Sequence, residues 1–340
     1  MKVVNWAILA PGIIAHKMAE AMVKSKGKTS LNLYAIGSRN LERSQKFAEK
    51  YGFEKAYGSY KELLSDPKVD AVYIANPHAF HFDSIMQCFE AGKHVLVEKP
   101  AVCNLEQLNK AIEKSKEKKL FFMEAMWTAF NPCIKRIKKV LAEKKIGEIK
   151  HIESFFNLRI PFDTNHRLWA PELAGGALLD LGIYNIFYSM IINNYEPILK
   201  HSSNVRLVNG IDAWNSVNFT FKNGVTTHFE SSCDMPNESK SHDAVIYGTK
   251  GYISSKNFFF QTKAEVHVYK GEGGNDNDLV EVIEEPFDVN GFEYELIEAN
   301  ECILNGKIES DIHGFQRSIE LCTIMDQLRK DWGFKYPFEK

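Results

Sequence analysis

The sequence has little cysteine and no excess of charge of either sign. Its six cysteines lie far apart among 340 residues and include no C-x-x-C pair. This pattern argues against a disulfide framework and predicts a reduced, cytoplasmic protein. The 42 basic residues nearly balance the 44 acidic ones. With no global field to hold a polyanion, we expect neither nucleic acid nor an anionic membrane as a partner.

Repeats, low-complexity segments and membrane-length apolar runs are also missing. The run Val3–Ala10 is short and lacks a small-residue cleavage site, so we expect no signal peptide. The run Ala174–Ile192 contains Asp180 and Asn185 and is too polar to span a bilayer. With 44% hydrophobic and 25% charged residues, the composition is that of a globular protein, and the length predicts about two domains.

The first third of the chain alternates short apolar runs with amphipathic helical segments. The predicted strands are Val3–Leu9, Leu31–Ile36, Ala71–Ala75, Val95–Val97 and Leu120–Met123. The predicted helices are Ile13–Lys26, Leu41–Tyr51 capped by Asn40, a short helix with a Ser59–Glu62 capping box, His81–Ala91 and Asn104–Lys118. This alternation predicts an α/β fold, with a doubly wound parallel Rossmann sheet over residues 1–123 and ligands beyond its carboxyl edge.

Residues 124–340 follow a different pattern, with strands in succession. The predicted strands are Lys150–Asn157, Asn215–Phe221, Thr226–Ser232, Asp243–Tyr247, Tyr252–Ser255 and Ala264–Tyr269, and the predicted helices are Gly176–Ile192 and Gln316–Lys330. Asn223-Gly224 predicts a two-residue hairpin turn. We therefore predict an α+β substrate-binding domain with a large, mostly antiparallel sheet.

The turn after the first strand, APGIIA, is a degraded form of the G-x-G-x-x-G/A dinucleotide fingerprint. Gly12 matches the middle glycine and Ala15 the last small residue, so Gly12, Ile13 and Ile14 are predicted cofactor contacts. Ala10 replaces the first glycine, so we expect the turn to use a φ that a Cβ tolerates. An ordinary strand-to-helix turn is the alternative.

The end of the second strand bears on which dinucleotide binds. An acid there would hold the ribose 2′-hydroxyl of NAD, but this chain has Ser38 and Arg39, with Arg43 one helical turn later. Two guanidiniums suit a 2′-phosphate. We therefore predict NADP, with NAD less favoured. The alternative is that both arginines are solvated surface charges.

Three side chains suit proton transfer coupled to hydride transfer. Lys99 ends a buried strand before Pro100, where an ammonium is costly unless it is paired or used, and Pro100 fixes the chain, with a cis peptide as one option. Asp180 and Tyr184 lie four apart, on one face of a helix. A nearby ammonium lowers the pKa of a tyrosine and makes it a better acid/base. An ion pair, a helix cap and a core tyrosine are the structural alternatives.

His78 and His81 lie three apart, just past the third strand. Such a pair can begin a metal site, but no cysteine stands close and the one nearby carboxylate is Asp83. We therefore expect no metal, and a helix-start pair that contacts cofactor or substrate.

Together these motifs resemble the glucose–fructose oxidoreductase and inositol dehydrogenase family, and within it the branch of dimeric dihydrodiol dehydrogenases and NADP-dependent D-xylose 1-dehydrogenases. The resemblance covers nearly the whole chain. The motifs that carry it are Asn76-Pro77-His78 with His81, Glu98-Lys99-Pro100, Glu124–Thr128, Arg167–Trp169 with Pro171–Leu173, and Gly175–Tyr184.

The resemblance implies a Rossmann domain followed by an open-sheet domain that forms a homodimer interface. It implies that Lys99 assists catalysis, that Tyr184 is the general acid/base, that Asp180 holds substrate or supports the acid, and that Trp127 lines the substrate pocket. Arg167 and Trp169 would reach the cofactor or cover the active site. The full set of predicted cofactor contacts is Gly12, Ile13, Ile14, Ser38, Arg39, Arg43, Asn76, His78, His81, Glu98, Lys99, Arg167 and Trp169.

One departure bears on the substrate. Relatives usually carry an arginine where this chain has Ala129, so any contact made by that arginine is lost. The predicted function is NADP-dependent interconversion of a secondary alcohol, in a sugar, polyol or cyclic trans-diol, and its carbonyl. The alternatives are an NAD-dependent redox glycosidase of the same fold and a non-catalytic NADP(H)-sensing regulator.

Overall fold

The computed structural model describes residues 3–235, 242–271 and 276–339, which form two compact units. The first contains the residues up to Trp127 together with Asp288–Asp326. The second contains Thr128–Phe287 and the residues from Gln327 onward.

The first unit is built on a six-stranded parallel sheet in the order β3-β2-β1-β4-β5-β6. Its strands are β1 (Val4–Leu9), β2 (Leu31–Gly37), β3 (Lys55–Tyr57), β4 (Ala71–Ile74), β5 (His94–Glu98) and β6 (Phe122–Ala125). Its crossover helices are α1 (Ile13–Ser25), α2 (Leu41–Tyr51), α3 (Tyr60–Ser65), α4 (His81–Glu90) and α5 (Leu105–Lys118). The predicted doubly wound sheet is confirmed, with the short edge strand β3 added.

Side-chain caps begin two of these helices as the sequence predicts. The Asn40 side chain accepts a hydrogen bond from the Arg43 amide at 3.0 Å, and the Ser59 hydroxyl accepts one from the Glu62 amide at 3.1 Å. Each cap satisfies an amide that the first helical turn leaves without a partner. Asn40 follows β2 and Ser59 follows β3, so each cap fixes the start of a helix at the carboxyl edge of the sheet.

The chain returns to the first unit after Phe287, whereas the sequence analysis assigned all of 124–340 to one domain. Two helices follow, α8 (Phe292–Leu304) and α9 (Phe315–Asp331), and the division between the units falls inside α9. The Trp6 indole in β1 donates to the Asn300 amide oxygen in α8 at 2.9 Å, and both side chains are fully buried. The core of the parallel sheet therefore needs this returning segment.

The second unit holds an eight-stranded sheet in the order β14-β13-β12-β11-β7-β10-β9-β8. Its pairs are antiparallel except β7 with β10. Its strands are β7 (Ile149–Asn157), β8 (Ile198–Val208), β9 (Ile211–Phe221), β10 (Thr226–Ser232), β11 (Ala244–Gly248), β12 (Gly251–Ser255), β13 (Lys263–Tyr269) and β14 (Asn277–Glu284), and its helices are α6 (Pro132–Ala142) and α7 (Ile183–Ile192). The predicted open, mostly antiparallel sheet is confirmed.

Two local predictions in this unit are wrong in detail. The β9–β10 hairpin closes through a bond from the Phe221 amide to the Val225 carbonyl, so the loop has three residues, with Gly224 at φ +84°. The helix predicted from Gly176 begins instead with a π-helical turn, Leu178–Gly182, which leads into α7.

Within the described residues, the segment 171–192 is apolar and long enough to span a membrane by length and composition. Its most apolar 18-residue stretch is buried throughout inside the folded chain. Core helices pass the same test, so the segment is weak evidence for a membrane span.

Candidate functional site

The turn that follows β1 contradicts one expectation. Ala10 adopts φ +72°, the left-handed conformation that the missing glycine would favour. The Ala10 amide donates to the Gly37 carbonyl at 3.0 Å, and its carbonyl accepts from the Gly12 amide at 2.9 Å. These two backbone bonds fix the turn even though its first residue carries a Cβ.

The start of α1 is open to an anion. Gly12 precedes the helix without a side-chain cap, and the first turn contains no acid. Ile13 is 89% exposed and Ile14 is half-buried, and the nearest atom to a Cβ built on Gly12 is the Ala75 carbonyl oxygen, at 3.7 Å. Free helix N-terminal amides beside an accessible glycine fit the pyrophosphate of a dinucleotide.

The two predicted phosphate-binding arginines lie together at the end of β2. Arg39 and Arg43 are both exposed, and the Arg43 guanidinium lies 3.5 Å from the Pro11 carbonyl, so it reaches the turn after β1. Both guanidiniums also act on Tyr60, where burial raises the pKa of the phenol and the two positive charges oppose that rise. This corner of the first unit is locally basic, as a 2′-phosphate requires.

Ser38 is bound differently from the prediction. Its hydroxyl is buried, donates to the Asn40 carbonyl at 2.6 Å and accepts from the Asn40 amide at 3.1 Å. The side chain therefore shapes the turn that presents Arg39, and its donor is used within the protein.

Lys99 ends β5 at the carboxyl edge of the sheet. It is 9% exposed and precedes a cis peptide bond to Pro100. Glu98 is also buried and accepts a hydrogen bond from the Tyr73 hydroxyl. The glutamate is therefore held within the sheet, and the lysine is the member of the motif that the strand end presents.

His81, a predicted cofactor contact, is fully buried. Its Nδ1 lies 2.8 Å from the Pro100 carbonyl oxygen and its Nε2 lies 2.8 Å from the Asn76 carbonyl oxygen. Burial lowers the pKa of this imidazole. The ring therefore links the segments after β4 and β5 and has no surface for a ligand. His78, with its ring 5.6 Å away, is half-buried, and the Asn76 side chain donates to Ser84 at 2.8 Å.

Glu124 lies within β6, and Trp127 follows the end of this strand. The Trp127 ring packs at a tilt against Phe292 with centroids 4.8 Å apart, and its predicted contact with substrate stays a prediction. Glu124, for which the sequence predicts no role of its own, is buried and accepts a hydrogen bond from the Ala101 amide at 2.8 Å. The sequence signal that could have identified Glu124 was a carboxylate inside an apolar strand, because a buried carboxylate needs hydrogen-bond partners.

The second unit contains the other predicted catalytic side chains. Asp180 is nearly buried and accepts a hydrogen bond from Arg167 at 2.9 Å, while half of the Arg167 side chain is exposed. The Tyr184 ring lies 5.7 Å from those of Phe156 and Phe259. Aromatic rings therefore pack near Tyr184, and Asp180 forms an ion pair with Arg167.

Trp169 is less exposed to solvent than its predicted role, reaching the cofactor or covering the active site, requires. It is 2% exposed, its indole donates to the Ile160 carbonyl at 3.3 Å, and its ring contacts Phe162, which is 59% exposed. Phe162, which the sequence analysis did not single out, is therefore the exposed aromatic side chain of this loop.

Asp212 is a second residue that sequence reasoning missed. Its Oδ2 accepts from the Leu178 amide at 2.6 Å and from the Asn215 side chain at 2.9 Å, at the start of the π-helical turn that contains Asp180. Complete burial raises its pKa to about 7. Among the described residues, no group of three or more histidine, cysteine, aspartate or glutamate side chains could hold a metal ion.

Comparison with protein families matches both units. Residues 4–126 match the model of an oxidoreductase family with an NAD-binding Rossmann fold, GFO/IDH/MocA, and residues 134–254 match the C-terminal domain model of the same family. Among curated proteins, the trans-1,2-dihydrobenzene-1,2-diol dehydrogenase of Mus musculus is 32% identical over 349 residues, covering 99% of each chain. The Homo sapiens protein of that name is 31% identical over 345 residues, also covering 99% of each chain.

Solved structures share the fold over nearly the full length. A 3-ketoreductase from Actinomadura kijaniata, in complex with NADP and TDP-benzene, aligns with a TM-score of 0.85 at 22% identity, covering 97% of this chain and 98% of the other. An aldose-aldose oxidoreductase from Caulobacter crescentus aligns with a TM-score of 0.82 at 20% identity, covering 97% of each chain.

Proposed function

The chain belongs to the GFO/IDH/MocA oxidoreductase family, and from this premise we propose that it is an NADP-dependent dehydrogenase or reductase. Its substrate would be a secondary alcohol, in a cyclic trans-diol, sugar or polyol, or the matching carbonyl compound. Curated relatives about 30% identical over the full chain carry the name of a cyclic trans-diol dehydrogenase, which supports this substrate class.

One observation carries the proposal most directly. The turn at Gly12 and the end of β5 at Lys99 share the carboxyl edge of one parallel sheet, whose order reverses between β1 and β4. Dinucleotides bind at this edge of such sheets, beside the switch point. The edge therefore brings a cofactor cradle and a buried-strand lysine into the same crevice of the first unit.

We assign the 2′-phosphate of NADP to Arg39 and Arg43. Both are exposed, no acid stands at Gly37–Arg39, and Arg43 reaches the turn after β1. Gly12, Ile13 and the free amides of α1 would hold the pyrophosphate.

The chemistry is assigned to three side chains. When bound, the nicotinamide supplies the acceptor or donor of the hydride. In the oxidation, the Tyr184 phenolate oxygen takes the proton of the substrate alcohol, and in the reduction the Tyr184 hydroxyl gives a proton to the substrate oxygen. The Lys99 ammonium assists catalysis, and Asp180, held by Arg167, orients the substrate hydroxyl.

The cofactor assignment is tested by turnover with NADP+ and NAD+ against trans-1,2-dihydrobenzene-1,2-diol, aldoses and polyols. We expect the double variant Arg39→Ala, Arg43→Ala to raise the KM for NADP+ about 100-fold, since each charge-assisted bond is worth roughly 1.5–3 kcal/mol, and to leave NAD+ kinetics unchanged. Lys46→Ala, which removes an exposed ion pair with Glu42 in the same helix, is the control. Equal use of both cofactors by the wild type would overturn the assignment.

The catalytic assignment is tested by Lys99→Ala and Tyr184→Phe. We expect both to lower turnover by about 10²–10⁴-fold with cofactor binding retained. Tyr188→Phe is the matched control, because Tyr188 lies one turn further along α7 and is fully buried. Normal turnover in either variant would remove that residue from the mechanism.

We also propose a homodimer formed through the open face of the second unit's sheet. The outward side chains on its central strands, here called the open face, are Glu153, Phe155, Tyr247, Tyr252, Glu265 and His267, all half-buried. Tyr252 and His267 stack with centroids 4.5 Å apart, so the face is flat and aromatic. Aromatic side chains beside carboxylates and a histidine suit contact with a second copy.

A further inference from the structure

Buried side chains hold the backbone around Lys99. The Glu98 carboxylate accepts a hydrogen bond from the Lys99 amide at 3.2 Å, and Glu98 is itself bound by the Tyr73 hydroxyl. One residue later, His81 Nδ1 lies 2.8 Å from the Pro100 carbonyl oxygen. The segment that presents the lysine is thus attached on both sides.

Glu124 provides a third attachment at Ala101. Its Oε1 accepts from the Ala101 amide at 2.8 Å, while its Oε2 accepts from the Ser318 hydroxyl at 2.9 Å and lies 3.2 Å from His313 Nε2. The side chains of Glu124, His313 and Ser318 are all nearly fully buried. Three partners satisfy this carboxylate, so it cannot move without breaking bonds that water cannot replace.

The charge state of Glu124 agrees with this arrangement. Burial acts to raise the pKa of the carboxyl, but the hydrogen bond and charge of His313, with the Ala101 and Ser318 bonds, hold that pKa below its usual value. The carboxylate form accepts hydrogen bonds with both oxygens and donates none.

We propose that Glu124, supported by His313 and Ser318, is a positioning residue that fixes the Lys99–Ala101 segment for catalysis. This inference rests on the proposed function of Lys99. A catalytic group displaced by about 1 Å loses roughly 10²-fold in rate. Losing the acceptor for the Ala101 amide would permit such a displacement, because the amide would then be an unsatisfied donor and the backbone would shift to hydrogen-bond it to water.

Two variants separate position from stability. Glu124→Leu removes the acceptor, whereas Glu124→Gln keeps one oxygen for the Ala101 amide. For Glu124→Leu we expect amide hydrogen exchange at Ala101 to rise at least tenfold and kcat to fall about 30- to 100-fold, with KM and the Kd for NADP+ within threefold of wild type. For Glu124→Gln we expect both exchange and kcat to return to within fivefold of wild type.

Glu293→Leu is the matched control. Glu293 is a fully buried carboxylate in the same unit that accepts hydrogen bonds from the Val289, Asn290 and Gly291 amides, all outside the Lys99–Ala101 segment. We expect it to lose stability while kcat per folded molecule and exchange at Ala101 stay within threefold. An equal kcat loss in this control would overturn the inference.

Further outcomes are equally decisive. Unchanged Ala101 exchange or unchanged kcat in Glu124→Leu overturns the positioning role, even where Lys99→Ala is inactive. If Glu124→Leu fails to fold, Ser318→Ala is tested in its place. We expect this variant to lose three- to tenfold in kcat at constant KM. A wild-type kcat for Ser318→Ala would contradict the positioning role. Normal turnover of Lys99→Ala would instead contradict the proposed function, and the change in amide hydrogen exchange at Ala101 would still stand.

Discussion

Ala10 occupies a backbone conformation that alanine adopts only at a cost. At φ +72° its Cβ crowds the following carbonyl, which costs roughly 1–2 kcal/mol relative to glycine. Replacing it by glycine removes this strain but adds freedom to the unfolded chain. We expect Ala10→Gly to raise the free energy of unfolding by about 0.5–1 kcal/mol, measured by urea denaturation of the full chain.

An alanine with ordinary backbone angles provides the comparison. Ala91 follows α4 at φ −81°, where no strain is relieved. We expect Ala91→Gly to lower stability by about 0.5–1 kcal/mol, the usual effect of a glycine on chain entropy. Equal losses in both variants would mean that the turn after β1 carries no strain.

Single residues were the least predictable part of the site. The fingerprint at Gly12 could be identified from its place between a strand and a helix, although the left-handed Ala10 could not. His81 was assigned to the cofactor because a histidine near a strand end often meets a ligand. Its two carbonyl partners come from segments that are separated in sequence, and only the folded chain brings them together.

Asp212 controls the element that contains Asp180, and its charge makes that element sensitive to pH. Its folded-state pKa of about 7 lies above the ordinary value of 3.8, because burial penalises the charged form. The folded state therefore binds the proton more tightly than the unfolded state. Stability conferred by the protonated form is present below about pH 4 and is lost as pH rises toward 7.

We expect Asp212→Asn to stabilise the protein at pH 8 by on the order of 3 kcal/mol. The asparagine oxygen can accept the Leu178 and Asn215 bonds and cannot ionise. The gain should shrink to less than half at pH 5, measured by urea unfolding at both pH values. A gain that does not vary with pH would show that the pKa of Asp212 is the same in the folded and unfolded states.

Asp331 provides a control of opposite sign. Its hydrogen bonds with His201 and Gln327 lower its pKa, so its contribution to stability is present above the ordinary pKa and is lost as pH falls. We expect Asp331→Asn to destabilise slightly at pH 8 and to matter less in acid. The two aspartates should therefore change the pH dependence of stability in opposite directions.

Elements were predictable where one periodic pattern dominated. Five of the six parallel strands are short, apolar and bounded by caps such as Asn40, so they were predicted to within two residues, whereas the edge strand β3 was missed. Helix α8 was not predicted, because two of its glutamates, Glu293 and Glu295, are buried and blur its apolar face. The edge strands β8 and β14 were also missed, since their exposed side chains leave little alternation.

The whole molecule combines two units from a chain that crosses between them more than once. A boundary near residue 123 follows from the change of pattern, but nothing local marks 288–326 as part of the first unit. That assignment depends on contacts between residues almost 300 positions apart, such as Trp6 with Asn300. Long-range pairs of this kind cannot be read from periodicity.

The charge balance of the whole molecule also hides local structure. Arg39 and Arg43 form a basic corner in the first unit, while the open face of the second unit combines aromatic side chains with two glutamates and one histidine. A face that combines aromatic and polar side chains can pack against a copy of itself. This is the self-complementary character that a two-fold interface requires.

The dimer proposal predicts that Tyr252→Arg, in the middle of the open face, dissociates the protein. A guanidinium opposite its own copy would be desolvated without a partner, so we expect the dissociation constant to rise at least 100-fold. Light scattering during size exclusion should give twice the 38.8 kDa chain mass for the wild type and the chain mass for the variant. Ile312→Arg, at a 39% exposed apolar position in the first unit, should remain dimeric. A Tyr252→Arg protein that keeps the dimer mass would assign the interface to another surface.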